Sequence, residues 1–471
     1  MDETLAQLQS LLAPFGQTHL LDFWDRLTPE ERNSLEAEIR AIDFGQIARL
    51  FEKREAGEDL HEMIERAGPP PALRLDGQNN RFSADEARSR GREAMQAGQI
   101  GVILVAGGQG TRLGFPHPKG MFPIGPVSGN SLFQIHIEKI LADSRRYGVS
   151  IPLYIMTSPA THDETVEFLD RNDRFGLAKD QLTIFRQGTM PAVDDQSGKV
   201  LLVNKSHLAL SPDGHGGMLD AFAKSGAMDA ARDRGIRQLF YFQVDNPLVD
   251  ICGLDFLGYH LLSGSEFSSQ VIAKRDPLDR VGNIVRLEDE RLLMVEYSDL
   301  PEKLAHRRNP DGSLEIWAGS IAVHVMDLEF LNRMAKQTAA GNEALPFHTA
   351  RKKVDYLDRS GRTVRPDEPN AIKFERFIFD LLPSAADAIA VEVDPQRAFA
   401  PLKNAPGDPT DTPESVKAQL VAQAKDWLQR AGIEVSEGVK VEISPLFARN
   451  ETEVAKKIPA GTQVTQDRYF C

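Results

Sequence analysis

The hydrophobic pattern of the chain changes character at Ile100. Before it, residues 1–98 read as helical. Thr28-Pro29-Glu30-Glu31 is a capping box with proline at the first helical position, and Ser83-Ala84-Asp85-Glu86 repeats the start signal, with Gly98 as its stop. Pro69, Pro70 and Pro71 between them predict an extended connection. From Ile100 to Val105 the residues are almost continuously apolar, as in a strand buried on both faces.

A glycine-rich loop follows. The pattern then predicts a helix over 131–147 closed by Gly148, a strand over 153–156 and a helix over 161–170. A strand-like run covers 182–185, and a buried strand over 239–244 ends at Asp245. Alternating strands and helices predict an α/β fold, a mostly parallel mixed sheet with flanking helices. In such sheets ligands bind beyond the carboxyl ends of the strands, where both the glycine-rich loop and Asp245 fall. Residues 403–415 are rich in turn formers and mark a boundary. A helix over 414–431 and short runs such as 439–443 predict a small β-containing C-terminal domain. The expected organisation is a helical N-terminal region (1–98), a catalytic domain (99–400) and a C-terminal domain (401–471).

Composition narrows the function class. The 471 residues carry 55 Lys and Arg against 69 Asp and Glu, a net charge of −14. That balance argues against nucleic acid or an anionic membrane as partner, though a local cleft can still oppose the global sign. Two cysteines, Cys252 and Cys471, exclude a disulfide scaffold and a cysteine-based metal centre. Met1-Asp2-Glu3-Thr4 lacks the basic start of a secretory signal, and no interior apolar run is long enough to span a bilayer. The expected location is the cytoplasm.

The most informative stretch runs Val105-Ala106-Gly107-Gly108-Gln109-Gly110-Thr111-Arg112-Leu113-Gly114, then Pro118-Lys119-Gly120. Glycines leave backbone N–H groups free for phosphate oxygens and let a base approach the main chain. The spacing of Gly108, Gly110 and Gly114 fails the dinucleotide fingerprint, and the Walker A triplet is missing. Arg112 and Lys119 remain beside the glycines, as cations for charge that builds during phosphoryl or nucleotidyl transfer.

The stretch from Val105 to Gly120 resembles the signature of the UDP-sugar pyrophosphorylases, most closely the eukaryotic-type UDP-N-acetylglucosamine pyrophosphorylases. The resemblance continues through Asn130-Ser131-Leu132-Phe133, Tyr154-Ile155-Met156-Thr157-Ser158, Gln187-Gly188, Pro212-Asp213-Gly214 and Val244-Asp245-Asn246. It extends to Val295-Glu296-Tyr297-Ser298, Pro369-Asn370-Ala371-Ile372-Lys373, Phe377-Ile378-Phe379-Asp380 and Pro401-Leu402-Lys403-Asn404-Ala405, so it covers residues 100–410 strongly and the ends weakly.

The resemblance implies a Rossmann-like, glycosyltransferase-A-like sheet and a uridylyltransferase that uses UTP, a sugar 1-phosphate and Mg²⁺. It implies that Val105, Ala106, Gly107, Gly108, Gln187 and Gly214 bind the nucleotide, with Lys373 as a further nucleotide-side cation. Arg112, Lys119 and Lys403 would be catalytic, with Lys119 and Lys403 on the phosphates. Asp245 would contact the nucleotide and hold the metal. His215, Glu296, Tyr297, Ser320, Phe377 and Phe379 would form the sugar side.

From the residues alone, several of these positions have ordinary readings. Asp245 before Asn246-Pro247 suits a turn cap, residues 292–297 suit a strand, and Phe377, Phe379 and Leu381 alternate like core residues. Two positions depart from the N-acetylglucosamine pattern. His215 and Ser320 stand where those enzymes commonly have Asn, and Gly214-His215-Gly216 is closer to the UDP-glucose and broad-specificity branches. The resemblance as a whole still implies UDP-N-acetylglucosamine as the product. A UDP-glucose or broad-specificity pyrophosphorylase and a non-catalytic UDP-sugar binder remain as alternatives, and a Rossmann oxidoreductase stands well behind them.

Overall fold

The computed structural model describes residues 3–53, 63–77, 80–340, 342 and 344–471. The chain forms two compact units. One comprises Met1–Glu62, Gln187–Gly217 and Glu343–Asp380; the other comprises Met63–Arg186, Met218–Asn342 and Leu381–Cys471.

The larger unit is built on a ten-stranded sheet among the described residues. Ile100–Val105 lies at its centre, with Gln238–Gln243 and Leu153–Thr157 on either side, both parallel to it. Leu182–Arg186 extends the parallel set beyond Leu153–Thr157. On the opposite side, Ala318–Asp327 runs antiparallel to both Gln238–Gln243 and Phe267–Ala273. Ile389–Glu392 and Ala72–Leu73 then complete that edge in parallel. A hairpin of Asn283–Arg286 and Leu292–Val295 attaches through Asn283 opposite Gly319.

The central strand is fully apolar because it is covered on both faces. Val102, Ile103 and Leu104 are inaccessible to solvent, as are Phe240, Tyr241 and Phe242 of its neighbour. Helix Leu132–Tyr147 starts at Ser131, whose hydroxyl accepts from the Gln134 N–H, and stops at Gly148 in the left-handed conformation. Helix Ala84–Gln96 has the capping box predicted at Ser83 and Glu86. The α/β class and the mostly parallel sheet thus agree with the sequence pattern.

Residues 413–471 of this unit have an apolar cluster of their own, centred on Leu428, Ile433, Val441, Val454 and Phe470. Helix Pro413–Arg430 covers short parallel pairs, Glu434–Val435 with Gln463–Val464 and Val441–Ile443 with Arg468–Phe470.

The smaller unit joins the N-terminal helices Glu3–Leu12, Pro29–Arg40 and Phe44–Glu52 to a sheet of His348–Lys352, Ala371–Glu375 and Val193–Asp194. Leu8, Leu35, Ile39 and Ile47 pack with Val193, Ile372 and Phe374 in one core. The Thr28 capping box is present at the start of Pro29–Arg40. Among the described residues, no helix is long and apolar enough to cross a membrane.

Candidate active site

The glycine-rich loop leaves the sheet at the carboxyl end of its central strand. It folds back on itself, with the Gly110 N–H donating to the His117 carbonyl and the Lys119 N–H to the Gly108 carbonyl (2.9 and 3.0 Å). Gly110 is needed for this closure, because a Cβ there would press on the Phe115 ring and carbonyl at 2.8 Å. Gly108 is exposed, and a Cβ there would meet nothing within 4 Å. Among the described residues, the N–H groups of Gly107, Gly108 and Gln109 donate to no other main-chain group. Open backbone donors beside empty space are the arrangement an anion or a nucleotide base requires.

Lys119 begins a short turn at the end of this loop and reaches the carboxyl end of the neighbouring strand. Its Nζ lies 3.5 Å from Asp245 Oδ2 and donates to the Leu402 carbonyl at 3.2 Å. The Leu402 N–H donates to the Asp245 carbonyl (2.8 Å). Lys403 follows, exposed, with its N–H on the Asp411 carbonyl and its ammonium 5.9 Å from the Phe399 ring. Burial holds the Asp411 carboxyl above its ordinary value, opposed by Lys403 and reinforced by Asp245. The structure therefore brings Lys119, Asp245 and Lys403 together from three separated stretches of the chain.

Asn246, which the sequence marks only as part of the turn after Asp245, is what fixes this meeting. Its amide donates to the Ala398 carbonyl (2.8 Å) and accepts from the Ala400 N–H (3.0 Å), which ties residues 398–402 to the end of the Asp245 strand. Its place in the Asp245-Asn246-Pro247 turn was the available signal. Arg112 lies in the turn Thr111–Leu113, exposed on the same loop.

Also in this unit, strand Leu292–Val295 ends one residue before Glu296, shorter than the predicted 292–297. Glu296 opens a turn in which its carbonyl accepts from the Asp299 and Leu300 N–H groups. Tyr297 is 49% exposed. Ser320 sits on Ala318–Asp327, where its N–H donates to the Gly282 carbonyl (2.8 Å) and its hydroxyl accepts from the Ala322 N–H (3.2 Å).

The remaining predicted residues belong to the smaller unit. Gln187 is buried and donates through Nε2 to the Gly214 carbonyl (3.2 Å), leaving its amide oxygen as an acceptor. Gly214 has φ +82°, and a Cβ there would overlap the Arg376 main chain. Beneath this loop Asp213 and Arg376 form a buried ion pair at 2.6 Å. The Arg376 N–H also donates to the Asp213 carbonyl (2.8 Å). Asp213 lay inside a motif visible in the sequence; Arg376 carried no signal.

His215, Phe377 and Phe379 form one aromatic cluster. The two phenylalanine rings stack at 5.1 Å, His215 lies 5.2 and 5.4 Å from them, and His348 packs on Phe377 at 4.7 Å. Burial, with His348 nearby, pushes the His215 imidazole down to about 4. His348 in turn hydrogen-bonds Asp380 (2.7 Å). The core-like alternation of Phe377, Phe379 and Leu381 does not come from a strand, because Ile378–Ser384 is a 3₁₀ helix. Lys373 lies on strand Ala371–Glu375, opposite Ala350 and partly exposed.

An open α/β sheet with a glycine loop, paired lysine and carboxylate, and a further lysine at its strand ends defines a nucleotide-handling α/β protein. Residues 58–428 match the model of the UTP–glucose-1-phosphate uridylyltransferase family, and the chain belongs to that family. It is similar to the UDP-N-acetylglucosamine pyrophosphorylase of Saccharomyces cerevisiae, 34% identical over 454 residues, covering 93% of this chain and 94% of that protein. The UDP-N-acetylglucosamine diphosphorylase 2 of Arabidopsis thaliana is 33% identical, covering 92% of this chain and 88% of that protein. The crystal structure of the UDP-N-acetylglucosamine pyrophosphorylase from Trypanosoma brucei in complex with inhibitor superposes with a TM-score of 0.81 at 26% identity, covering 98% of this chain and 95% of that one.

Proposed function

We propose that this chain transfers the uridylyl group of UTP to N-acetylglucosamine 1-phosphate, releasing pyrophosphate and forming UDP-N-acetylglucosamine. The observation that carries the reading is the meeting of Lys119, Asp245 and Lys403 beside the open Gly107–Gly108 backbone. Full-length relatives that bear this activity in their names support the choice of sugar.

In this reading a phosphate oxygen of the sugar 1-phosphate attacks the α-phosphorus in line. The bond between the α-phosphorus and the pyrophosphate oxygen breaks, and pyrophosphate leaves. The nucleophile is already anionic, so no protein base or covalent intermediate is needed. Catalysis is positioning and stabilisation of charge. Arg112 and Lys119 take the leaving pyrophosphate and the α-phosphate, and Lys403 holds phosphate. Val105, Ala106, Gly107, Gly108, Gln187 and Gly214 bind the uridine, with Lys373 on the nucleotide. His215, Glu296, Tyr297, Ser320, Phe377 and Phe379 serve the sugar.

The donor set suits Mg²⁺. Among the described residues no cluster of three metal-ligating side chains occurs, but Mg²⁺ on a nucleotide needs only one or two carboxylates, the phosphates supplying the rest. Asp245 would be that carboxylate, and bound Mg²⁺ would neutralise phosphate charge. The protein acts in the cytoplasm, with UTP and the sugar phosphate as its partners.

A second reading, wider use of UDP-sugars, is favoured by the short side chain of Ser320 and by His215. Purified protein with UTP, Mg²⁺ and N-acetylglucosamine 1-phosphate tests the enzyme. Pyrophosphate release is expected. Calorimetric binding of UDP-N-acetylglucosamine without pyrophosphate exchange would instead identify a non-catalytic binder.

A further inference from the structure

The C-terminal segment holds one carboxylate that its own small core does not use. Glu442 lies in strand Val441–Ile443, between residues that face the C-terminal apolar cluster, and is only 8% exposed. Its side chain points the other way along the strand's alternation, into the turn that follows Lys119. Oε2 accepts from the Val127 and Ser128 N–H groups at 2.8 and 2.7 Å, and Oε1 accepts from the Ser128 hydroxyl at 2.7 Å. Three donors on one buried carboxylate form a strong, directional clamp.

That turn is closed on itself. The Ile124 and Gly125 N–H groups both donate to the Asn130 carbonyl, and the Asn130 N–H donates to the Ser128 hydroxyl. Tyr469, from the strand paired with that of Glu442, accepts from the Asn130 amide at 3.0 Å. The base of the turn runs straight to the candidate site. The Leu132 N–H donates to the Phe122 carbonyl, the Phe122 N–H to the Lys119 carbonyl, and the Lys119 N–H to the Gly108 carbonyl. Hydrogen bonds, with the short covalent step from Asn130 to Leu132, thus join Glu442 to the main chain of Lys119 and the glycine loop.

We infer that Glu442 is a positioning residue for Lys119, so that the C-terminal segment braces the phosphate loop without contacting the substrate. The inference rests on the uridylyltransferase reading for its effect on rate, but not for its effect on the loop. Removing the clamp frees the 124–130 turn and lets Lys119 drift relative to Asp245. A displacement of about 1 Å in such a group can lower turnover by about 100-fold.

The test compares Glu442→Ala and Glu442→Gln in the full chain. Glu442→Ala is expected to lose roughly 100-fold in kcat, with KM for UTP changed by less than about threefold. Glu442→Gln is expected to recover most of that loss, because an amide oxygen can still accept from the two N–H groups. Hydrogen exchange of the 119–130 amides, read without substrate, is expected to quicken in Glu442→Ala while that of the Ile100–Val105 amides does not. If Glu442→Ala does not fold, Ser128→Ala removes the hydroxyl donor of the clamp and the acceptor of the Asn130 N–H while leaving the two main-chain bonds, and a smaller loss of kcat with faster exchange over 119–130 is expected; unchanged exchange there would count against the role of Glu442 in the same way. Wild-type protein that releases no pyrophosphate would sink the enzyme reading alone. Unchanged exchange over 119–130, or turnover within about twofold of wild type, would overturn the role of Glu442.

Discussion

Lys119 Nζ lies 3.5 Å from Asp245 Oδ2, although 125 residues of chain separate them. The two groups come from beyond the ends of adjacent parallel strands, the loop after Ile100–Val105 and the second residue past Gln238–Gln243. In the proposed reaction this lysine would exchange the carboxylate for the substrate phosphates. Lys119→Ala is therefore expected to lower kcat by about 10²–10³-fold, the usual effect of removing one preorganised charge-stabilising group. Lys119→Arg should not restore it, since a planar fork is no substitute for a compact ammonium. Circular dichroism and the melting temperature should stay near those of the wild type. Near-normal turnover of Lys119→Ala would remove Lys119 from the mechanism.

Asp213 and Arg376 carry the loop that presents Gly214. Both are nearly inaccessible to solvent, so removing the carboxylate takes the ion-pair partner from a buried guanidinium. Asp213→Ala is expected to cost about 3–5 kcal/mol of folding stability. Urea unfolding measures this directly, and a loss below about 1 kcal/mol, the range of a surface pair, would contradict the account.

Acid should weaken the larger unit before it protonates most carboxylates. His136 and His260 are both buried, and burial pushes each down to about 3. His136 pairs with the Val244 carbonyl, and His260 bridges Gln238 and Ser268. The unfolded chain takes up these protons near the ordinary histidine value of about 6.5, whereas the folded chain does not until about 3. In that window the unfolded state binds more protons, so stability falls as pH drops and is flat in this respect above about 7. Urea midpoints at successive pH values would show this decline, and a midpoint that held constant from neutrality down to about pH 4 would contradict it.

Local signals account for much of the fold. The boxes at Thr28 and Ser83, the glycine stop at Gly148 and the apolar run at Ile100 each depend on neighbours a few residues away, and each is where the pattern places it. Long-range pairing has no such local mark. Nothing near Glu442 indicates that it meets Ser128, 314 positions earlier, and nothing near Arg376 indicates Asp213, 163 positions away. The antiparallel strand Ala318–Asp327, inserted between parallel neighbours, is likewise a property of the assembled sheet. For the candidate site, glycines and cations mark the loop after Ile100–Val105, and the family motifs add the positions proposed for uridine and sugar. The folded chain adds Asn246, which fastens residues 398–402 beside Asp245.

Sugar choice is where the central claim is most exposed, because His215 and Ser320 both depart from the N-acetylglucosamine pattern. The decisive measurement is relative kcat/KM for N-acetylglucosamine 1-phosphate, N-acetylgalactosamine 1-phosphate and glucose 1-phosphate, each with UTP and Mg²⁺. The account predicts that N-acetylglucosamine 1-phosphate leads glucose 1-phosphate by at least about 10-fold, the discrimination that roughly 1.4 kcal/mol of contact to the acetamido group provides. Equal or greater efficiency with glucose 1-phosphate would contradict it.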